Sequence, residues 1–469
     1  MSAPESATIA PPPDHFDAHV QTVIIGAGAA GLVAALSAQE AGQEVLVLER
    51  DAVPSGSTAL SAGLIPAAGT RFQATAGIDD DPACFAADIQ NKAEAQNEQA
   101  LVDLMAGAAA PAIEWLADRH GLPFSLVDDF DYPGHTRRRM HGLPSRSGEE
   151  LIDALRGAVE GAGIDILCQA RVTMLFAKEG RIHGVGVSRP DGTTEALGCG
   201  RLILACNGYG GNSALVARHM PDIAGALYFG HAGNTGEAIL WGQALGAEIR
   251  HAGAYQGHGN VAHPHGILVT WAVITEGGFQ VNATGQRFWN EAQGYSEAAR
   301  AVLAQPGGEA VTIFDARIAE VARQFADFRE AEARGAIRRA ETLADLAAQM
   351  GLPGAALEAS LTSLEAAKRG QAPDPFGRTL AGATPLSPPY CAVRVTGALF
   401  HTQGGLAVDA QARVRRARGG VFPNLFACGG AACGVSGVAD AGYLSGNGLL
   451  SAVTLGRLAG RAPVSIAAR

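Results

Sequence analysis

Residues 21–31 read QTVIIGAGAAG: a short β-branched run, then glycines at Gly26, Gly28 and Gly31. The run suits a buried parallel strand. Gly26 permits a tight strand-to-helix turn, and Gly28 lets the backbone approach a bulky anion. Gly31 allows close helix–strand packing, and free amides at the start of the helix that follows attract negative charge. A second strand, Glu44 to Leu48, ends at Glu49, 23 residues past Gly26. An acid at that distance accepts hydrogen bonds from a ribose diol. Strand, turn, helix, strand and acid together predict dinucleotide binding, with a free ribose hydroxyl rather than a 2′-phosphate.

Which dinucleotide depends on the rest of the chain. Ser55 to Gly63 reads SGSTALSAG, small enough to pass close to a flavin ring. Near the other end, Val421 to Gly430 reads VFPNLFACGG, followed by a second glycine-rich stretch and an apolar helix from Asn447 to Gly460. A strand–turn–helix returning from the far end encloses one large cofactor, and no second GxGxxG offers a site for a nicotinamide nucleotide. These features favour FAD.

On these residues the chain resembles the fumarate reductase and 3-ketosteroid Δ1-dehydrogenase superfamily of flavoproteins. The likeness runs from about Val20 to Ala462. It includes SRSGEELIDAL (Ser145–Leu155), LILACNGYGGN (Leu202–Asn212), GNTGEAILWGQALGA (Gly233–Ala247) and VNATGQRFWNE (Val281–Glu291). HTQGGLAVDAQARV (His401–Val414) and YLSGNGLLSAVTLGRLAG (Tyr443–Gly460) complete it. The resemblance implies an α/β fold: a discontinuous, Rossmann-like FAD-binding domain from both chain ends, with an inserted α+β capping domain. The expected divisions are a disordered tail over 1–17, FAD-binding segments over 18–250 and 395–469, and a cap over 251–394. Arg317 to Lys368, charged and helical in period, would form cap helices, and Ala372–Pro389 would lead back to the FAD domain.

For the cofactor, the contacts implied are Gly26, Gly28, Ala30, Gly31, Glu49, Arg50, Ser57, Thr58, Ser61, Gly63, Val172, Gly208, Gly429, Gly446 and Leu449. Relatives with covalent FAD use a histidine in the region matching Ser57–Ser61. None stands there, so noncovalent FAD is expected. Gly430 departs from the glutamate common in the family and removes one usual contact.

Fumarate reductases clamp a dicarboxylate with two arginines. The first lies eight residues after the arginine of the RF…NE motif, which from Arg287 is Tyr295. The second precedes the last helix, and here is Tyr443. A fumarate-type substrate thereby loses its bidentate partners and its proton donor. The pattern is similar to the ketosteroid dehydrogenases. Carried over, the Tyr443 hydroxyl and the N–H of Asn447 would hold a ketone oxygen and stabilise enolate-like charge. Tyr295 would take the α-proton, and N5 of FAD the β-hydride. His401 is implied as a substrate or flavin contact. Because a phenol ordinarily titrates near a pKa of about 10, the site must favour phenolate or pass the proton on.

Other clusters carry blander readings. His251, His258, His263 and His265 match no zinc spacing and read as a cap-side loop, so no metal is expected. Thr235 and Gly236 read as shaping the fold. Arg137–Arg139 reads as a solvated surface cluster; contact of one of these, or of Arg146, with an anionic substrate or cofactor phosphates is the alternative. Trp271 and Trp289 read equally as pocket wall or cap core.

Composition bounds the rest. The chain has 469 residues, 47% hydrophobic, 17% charged, with net charge −11. That charge argues against nucleic acid or an anionic membrane surface as partner. Seven scattered cysteines without a CxxC pair read as reduced thiols, a cytoplasmic usage. No membrane span or signal peptide is expected. The leading expectation is α,β-dehydrogenation of a ketone, cyclic, either a substituted cyclohexanone or a steroid. Its electrons would pass to an external acceptor (a quinone, an electron-transfer protein or oxygen). An ene-type reductase fed by an external donor is the enzymatic alternative, and a non-catalytic flavin carrier the alternative of another class.

Overall fold

The computed structural model describes residues 8–463. The chain divides into two units: 1–219 with 230–255 and 401–469, and 220–229 with 256–400. These divisions differ from the expected ones at both crossings. The reason is local: residues Leu227–Tyr228 leave the first unit to pair in parallel with Ala398–Leu399 of the second. Strand Tyr390–Thr402 runs unbroken across the expected border at 394/395.

The first unit is built on a nine-stranded sheet. Its centre is Ala18–Ile25, flanked in parallel by Thr194–Leu204 and Val45–Leu48, with Asp165–Leu167 beyond. Thr194–Leu204 is long enough to take two more partners. Its first residues pair antiparallel with Arg181–Ser188 and its last three run parallel to Val421–Ala427. So a strand from the far end of the chain joins the sheet that has Ala18–Ile25 at its centre. Helix Ala29–Glu40 is almost wholly buried and hydrophobic all round, as befits a helix enclosed on every side. It packs against the last helix, Asn447–Arg461.

The expected disordered tail requires correction. Thr8–Ala10 forms an edge strand parallel to Met174–Phe176. The Asp17 amide donates to Ala196 O at 2.8 Å, and Phe16 meets Phe176 edge-on. A β-branched Thr–Ile pair gains a partner distant in sequence, which local composition could not announce. Residues 1–7 lie outside the described residues.

In the second unit a seven-stranded sheet runs Ile267–Leu268, Tyr255–Ala262, Tyr390–Thr402, Glu309–Asp315, Phe279–Val281, with Leu227–Tyr228 and Ile337–Ala340 also on the long Tyr390–Thr402 strand. Helices Ala316–Ala322, Ala326–Ala333, Leu343–Met350 and Gly354–Lys368 account for the helical period read over 317–368, which did not reveal the strand Ile337–Ala340 among them. Among the described residues one helix, Gln99–His120, is long and apolar enough to cross a membrane. Its apolar face, including Val102, Met105, Ala109 and Ile113, is buried in the core of the first unit.

Candidate active site and cofactor cradle

The cradle begins where strand Ala18–Ile25 stops. Gly26 has φ +103°, a conformation that favours glycine, and its N–H donates to Leu48 O at 2.8 Å. A Cβ on Gly31 would stand 1.9 Å from Gly26 O, so helix and turn touch backbone to backbone. Helix Ala29–Glu40 starts at Gly28 without a side-chain cap of its own. The Ala29 amide is held from outside by Thr58 Oγ1 at 3.0 Å. Such an end is suited to a phosphate.

Glu49 is buried and fixes the turn. Its Oε2 accepts from Ala27 N–H at 2.8 Å and its Oε1 from Asp51 N–H at 2.9 Å. Each oxygen keeps a lone pair for a diol. Arg50 Nη1 donates to Gly233 O at 2.7 Å, tying this loop to the 230–255 segment of the same unit. Ser57 Oγ accepts from the amides of Asn207 (3.0 Å) and Asn234 (2.8 Å). Ser61 Oγ donates to Thr58 O and accepts from Gly63 N–H. At Gly208 a Cβ would meet Thr402 Oγ1, a buried hydroxyl without a partner among the described residues. Gly429 faces the Ala30 methyl, Gly446 caps the last helix, and Leu449 is half-buried in that helix's first turn. Val172 is buried in the core, opposite Val187 on the neighbouring strand. The uncapped helix, glycine clearances, seated acid and orphaned hydroxyl fit FAD.

Tyr443 lies in the same unit, 7% exposed. Burial pushes its phenol far above the ordinary value, and the backbone N–H groups of Gly446 and Gly448, directed at its oxygen, only partly offset this. The phenol therefore stays protonated at neutral pH. His401 meets it edge-on, with centroids 5.6 Å apart. Burial lowers the His401 imidazole to about 4, so it too is uncharged. The expected role of the Asn447 amide is corrected: that N–H donates to Leu444 O at 3.1 Å, because the chain makes a turn immediately before the helix begins. The amides at the Tyr443 hydroxyl are those of Gly446 and Gly448.

Tyr295 opens helix Tyr295–Leu303 of the second unit, after Gly294 at φ +134°. His258 stacks on it with centroids 5.1 Å apart and planes 19° from parallel, and Trp271 approaches it edge-on at 6.4 Å. The expectation that His258 belongs to a cap-side loop is corrected: it lies in strand Tyr255–Ala262, and complete burial lowers it to about 3. Its neighbours diverge: His263 pairs with Glu309 at 3.1 Å near the surface, and His251 occupies a turn of the first unit. Among the described residues no cluster of His, Cys, Asp and Glu could hold a metal. Trp271 lines the Tyr295 cluster, whereas Trp289 donates to Gln280 Oε1 at 3.0 Å inside the core.

The arginines are occupied elsewhere. Arg287 is buried and paired with Glu291 at 2.6 Å and with Asp374. Buried Arg378 joins Glu291 and donates to the carbonyls of Ile274 and Gly278. Arg139, expected in a solvated cluster, is fully buried between Asp80 and Asp88, whereas Arg137, Arg138 and Arg146 are exposed. The sequence could not distinguish Arg139 from its neighbours, because its acids lie 51 and 59 residues away.

The FAD binding domain family matches residues 21–449. The chain belongs to that family. Within it, the chain is 30% identical over 445 residues to a probable fumarate reductase of Shewanella frigidimarina, covering 94% of this chain and 74% of that one. The open conformation of a flavocytochrome c3 fumarate reductase superposes with TM-score 0.81 at 29% identity, covering 95% of this chain and 78% of the other. The 3-ketosteroid-Δ4-(5α)-dehydrogenase of Rhodococcus jostii RHA1, in complex with 4-androstene-3,17-dione, superposes with TM-score 0.78 at 25% identity, covering 97% and 99%. This family member is an FAD-dependent oxidoreductase acting on carbon–carbon bonds.

Proposed function

We propose that the protein desaturates a ketone at its α,β-bond, with noncovalent FAD as the immediate oxidant. The observation that carries this reading is the environment of Tyr443: a buried phenol kept protonated, beside two backbone amides and a neutral imidazole, where a dicarboxylate reductase would need a guanidinium. Uncharged donors suit a carbonyl oxygen, which gains negative charge only as the reaction proceeds. They give a carboxylate no counter-ion.

In this reading Tyr443 donates to the ketone oxygen and acidifies the α-carbon. The family resemblance assigns the α-proton to Tyr295, which stacks on His258 within its own unit. The electron pair left by the broken α-C–H bond forms the new double bond as the β-hydrogen leaves as hydride with its own bonding pair. FAD, when bound, supplies the two-electron acceptor. The ketone thus loses one proton and one hydride to give the enone, and an external quinone, electron-transfer protein or oxygen would take up the two electrons. Ring ketones are favoured because a ring holds the α and β C–H bonds in fixed relative orientation. The similarity to a structure holding 4-androstene-3,17-dione supports a ketone.

A second reading, reduction of an enone or enoate with an external donor, has its own support. The 30% identical relative and the flavocytochrome structure both bear the name fumarate reductase. Anaerobic mixing of the FAD-loaded protein with saturated ketones, from cyclohexanones with and without a carboxylate to 3-ketosteroids, separates the two. The proposal expects the visible flavin absorbance to bleach and a product two mass units lighter to form. No bleaching by any ketone, together with rapid reoxidation of dithionite-reduced protein by fumarate or another enoate, would establish the second.

A further inference from the structure

Behind His401 runs a chain of buried side chains with a single polarity, all within the FAD-binding unit. Asn447 Nδ2 donates to Ser436 Oγ at 2.9 Å, and Ser436 Oγ donates to Gln403 Oε1 at 2.8 Å. Gln403 Nε2 lies 2.6 Å from His401 Nδ1. All three relay residues are at most 5% exposed, so water does not compete for their hydrogen bonds. Backbone bonds pin Gln403 as well: its N–H donates to Ala254 O, and its carbonyl accepts from Gly434 N–H.

The polarity has a consequence for the imidazole. An amide N–H that donates to Nδ1 requires a lone pair there, which leaves the ring's single proton on Nε2. Thr402 O, 3.4 Å from Nδ1, is too distant to compete with the 2.6 Å contact. Reversing the chain would swap the Asn447 amide ends. Its buried Oδ1, which has no partner, would then be replaced by an NH₂ group with two orphaned donors, the costlier arrangement. On the other side of the ring a Cβ on Gly448 would stand 3.0 Å from Nε2, so this edge of the imidazole lies at the start of the last helix, beside Tyr443.

We propose that Asn447, Ser436 and Gln403 are positioning residues that hold His401 as the Nε2–H tautomer, making it a second uncharged donor to the ketone oxygen alongside Tyr443. The role of the ketone rests on the function proposed above; the tautomer does not. The relay also reassigns Asn447, which acts through its side-chain amide and not through its backbone.

The test is nuclear magnetic resonance of the FAD-loaded protein carrying ¹⁵N-histidine, with the His401 signals assigned by their loss in His401→Phe. The expected spectrum has a protonated Nε2 and a bare Nδ1. In Gln403→Glu the donor becomes an acceptor, and the Nδ1 signal should change to the protonated form. In Ser436→Ala, which adds no charge and guards against misfolding of the first variant, the ring should become a mixture of tautomers. Flavin reduction by an active ketone should slow on the order of 10²-fold in Gln403→Glu, the usual cost of one lost oxyanion donor, with FAD content unchanged. A wild-type ring protonated on Nδ1, or a tautomer unmoved in both variants, would overturn the relay. If the tautomer is as expected and shifts with Gln403 but no ketone reduces the flavin, the relay stands and the ketone reading fails.

Discussion

Burial acts in opposite directions on phenol and imidazole and leaves both neutral. It raises the phenol of Tyr443 and lowers the imidazoles of His401 and His258. His135 and His141 are lowered to about 4 as well. For these four histidines the folded value lies below the unfolded 6.5, so the unfolded chain takes protons first as pH falls. Their stabilising contribution is complete above 6.5 and lost progressively towards 4, with each ring's share on the order of 3 kcal/mol. The thermal midpoint should therefore drop steeply between pH 6.5 and 4, and His401→Phe should flatten that slope in scanning calorimetry. An unchanged slope in the variant would remove His401 from the account. At this scale the sequence was informative about Tyr443 and His401, whose neighbours form recognisable strings. Gln403 was also within reach, since residues two apart in an extended chain share a face. Ser436, 33 residues further on, carried no local signal.

Glycine contacts set how closely the elements approach. At Gly448 in the last helix a Cβ would stand 2.8 Å from His401 Cε1 as well as 3.0 Å from Nε2. Gly448→Ala should push the imidazole aside without breaking the helix, since alanine is the better helix former. Flavin reduction by an active ketone should slow at least 10-fold while FAD content and thermal midpoint hold. Gly31→Ala, by contrast, drives a methyl into Gly26 O and displaces helix Ala29–Glu40 from its strand. Overpacking of this kind costs about 1–3 kcal/mol, and the protein should purify with substoichiometric FAD, read from its absorbance ratio. Full FAD occupancy in Gly31→Ala would contradict the cradle described above. The strand–turn–helix at residue 21 was legible because glycine spacing and β-branched runs are local. The edge strand Thr8–Ala10 and the insertion of Ile337–Ala340 were not, because their partners are at least 50 residues away.

At the scale of the molecule, the FAD-binding unit is assembled from distant parts of the chain, and one buried arginine joins them. Arg201, on strand Thr194–Leu204, donates to the carbonyls of Ala459, Gly460 and Ala462 at the end of the last helix, and to Thr22 Oγ1. Among the described residues no carboxylate accompanies it, and burial lowers it to about 10. Three helix-end carbonyls thus take their donors from one side chain. Arg201→Met should orphan them and destabilise the protein by roughly 3 kcal/mol, measured by urea titration, with Arg201→Lys recovering only part. The central claim concerns Tyr443, and the most direct measurement is single-turnover reduction of the bound flavin by a saturated cyclic ketone in wild type and Tyr443→Phe. The account predicts bleaching in the wild type, slowed by a factor on the order of 10²–10³ in the variant, with FAD content unchanged. Bleaching at the wild-type rate in Tyr443→Phe would contradict it.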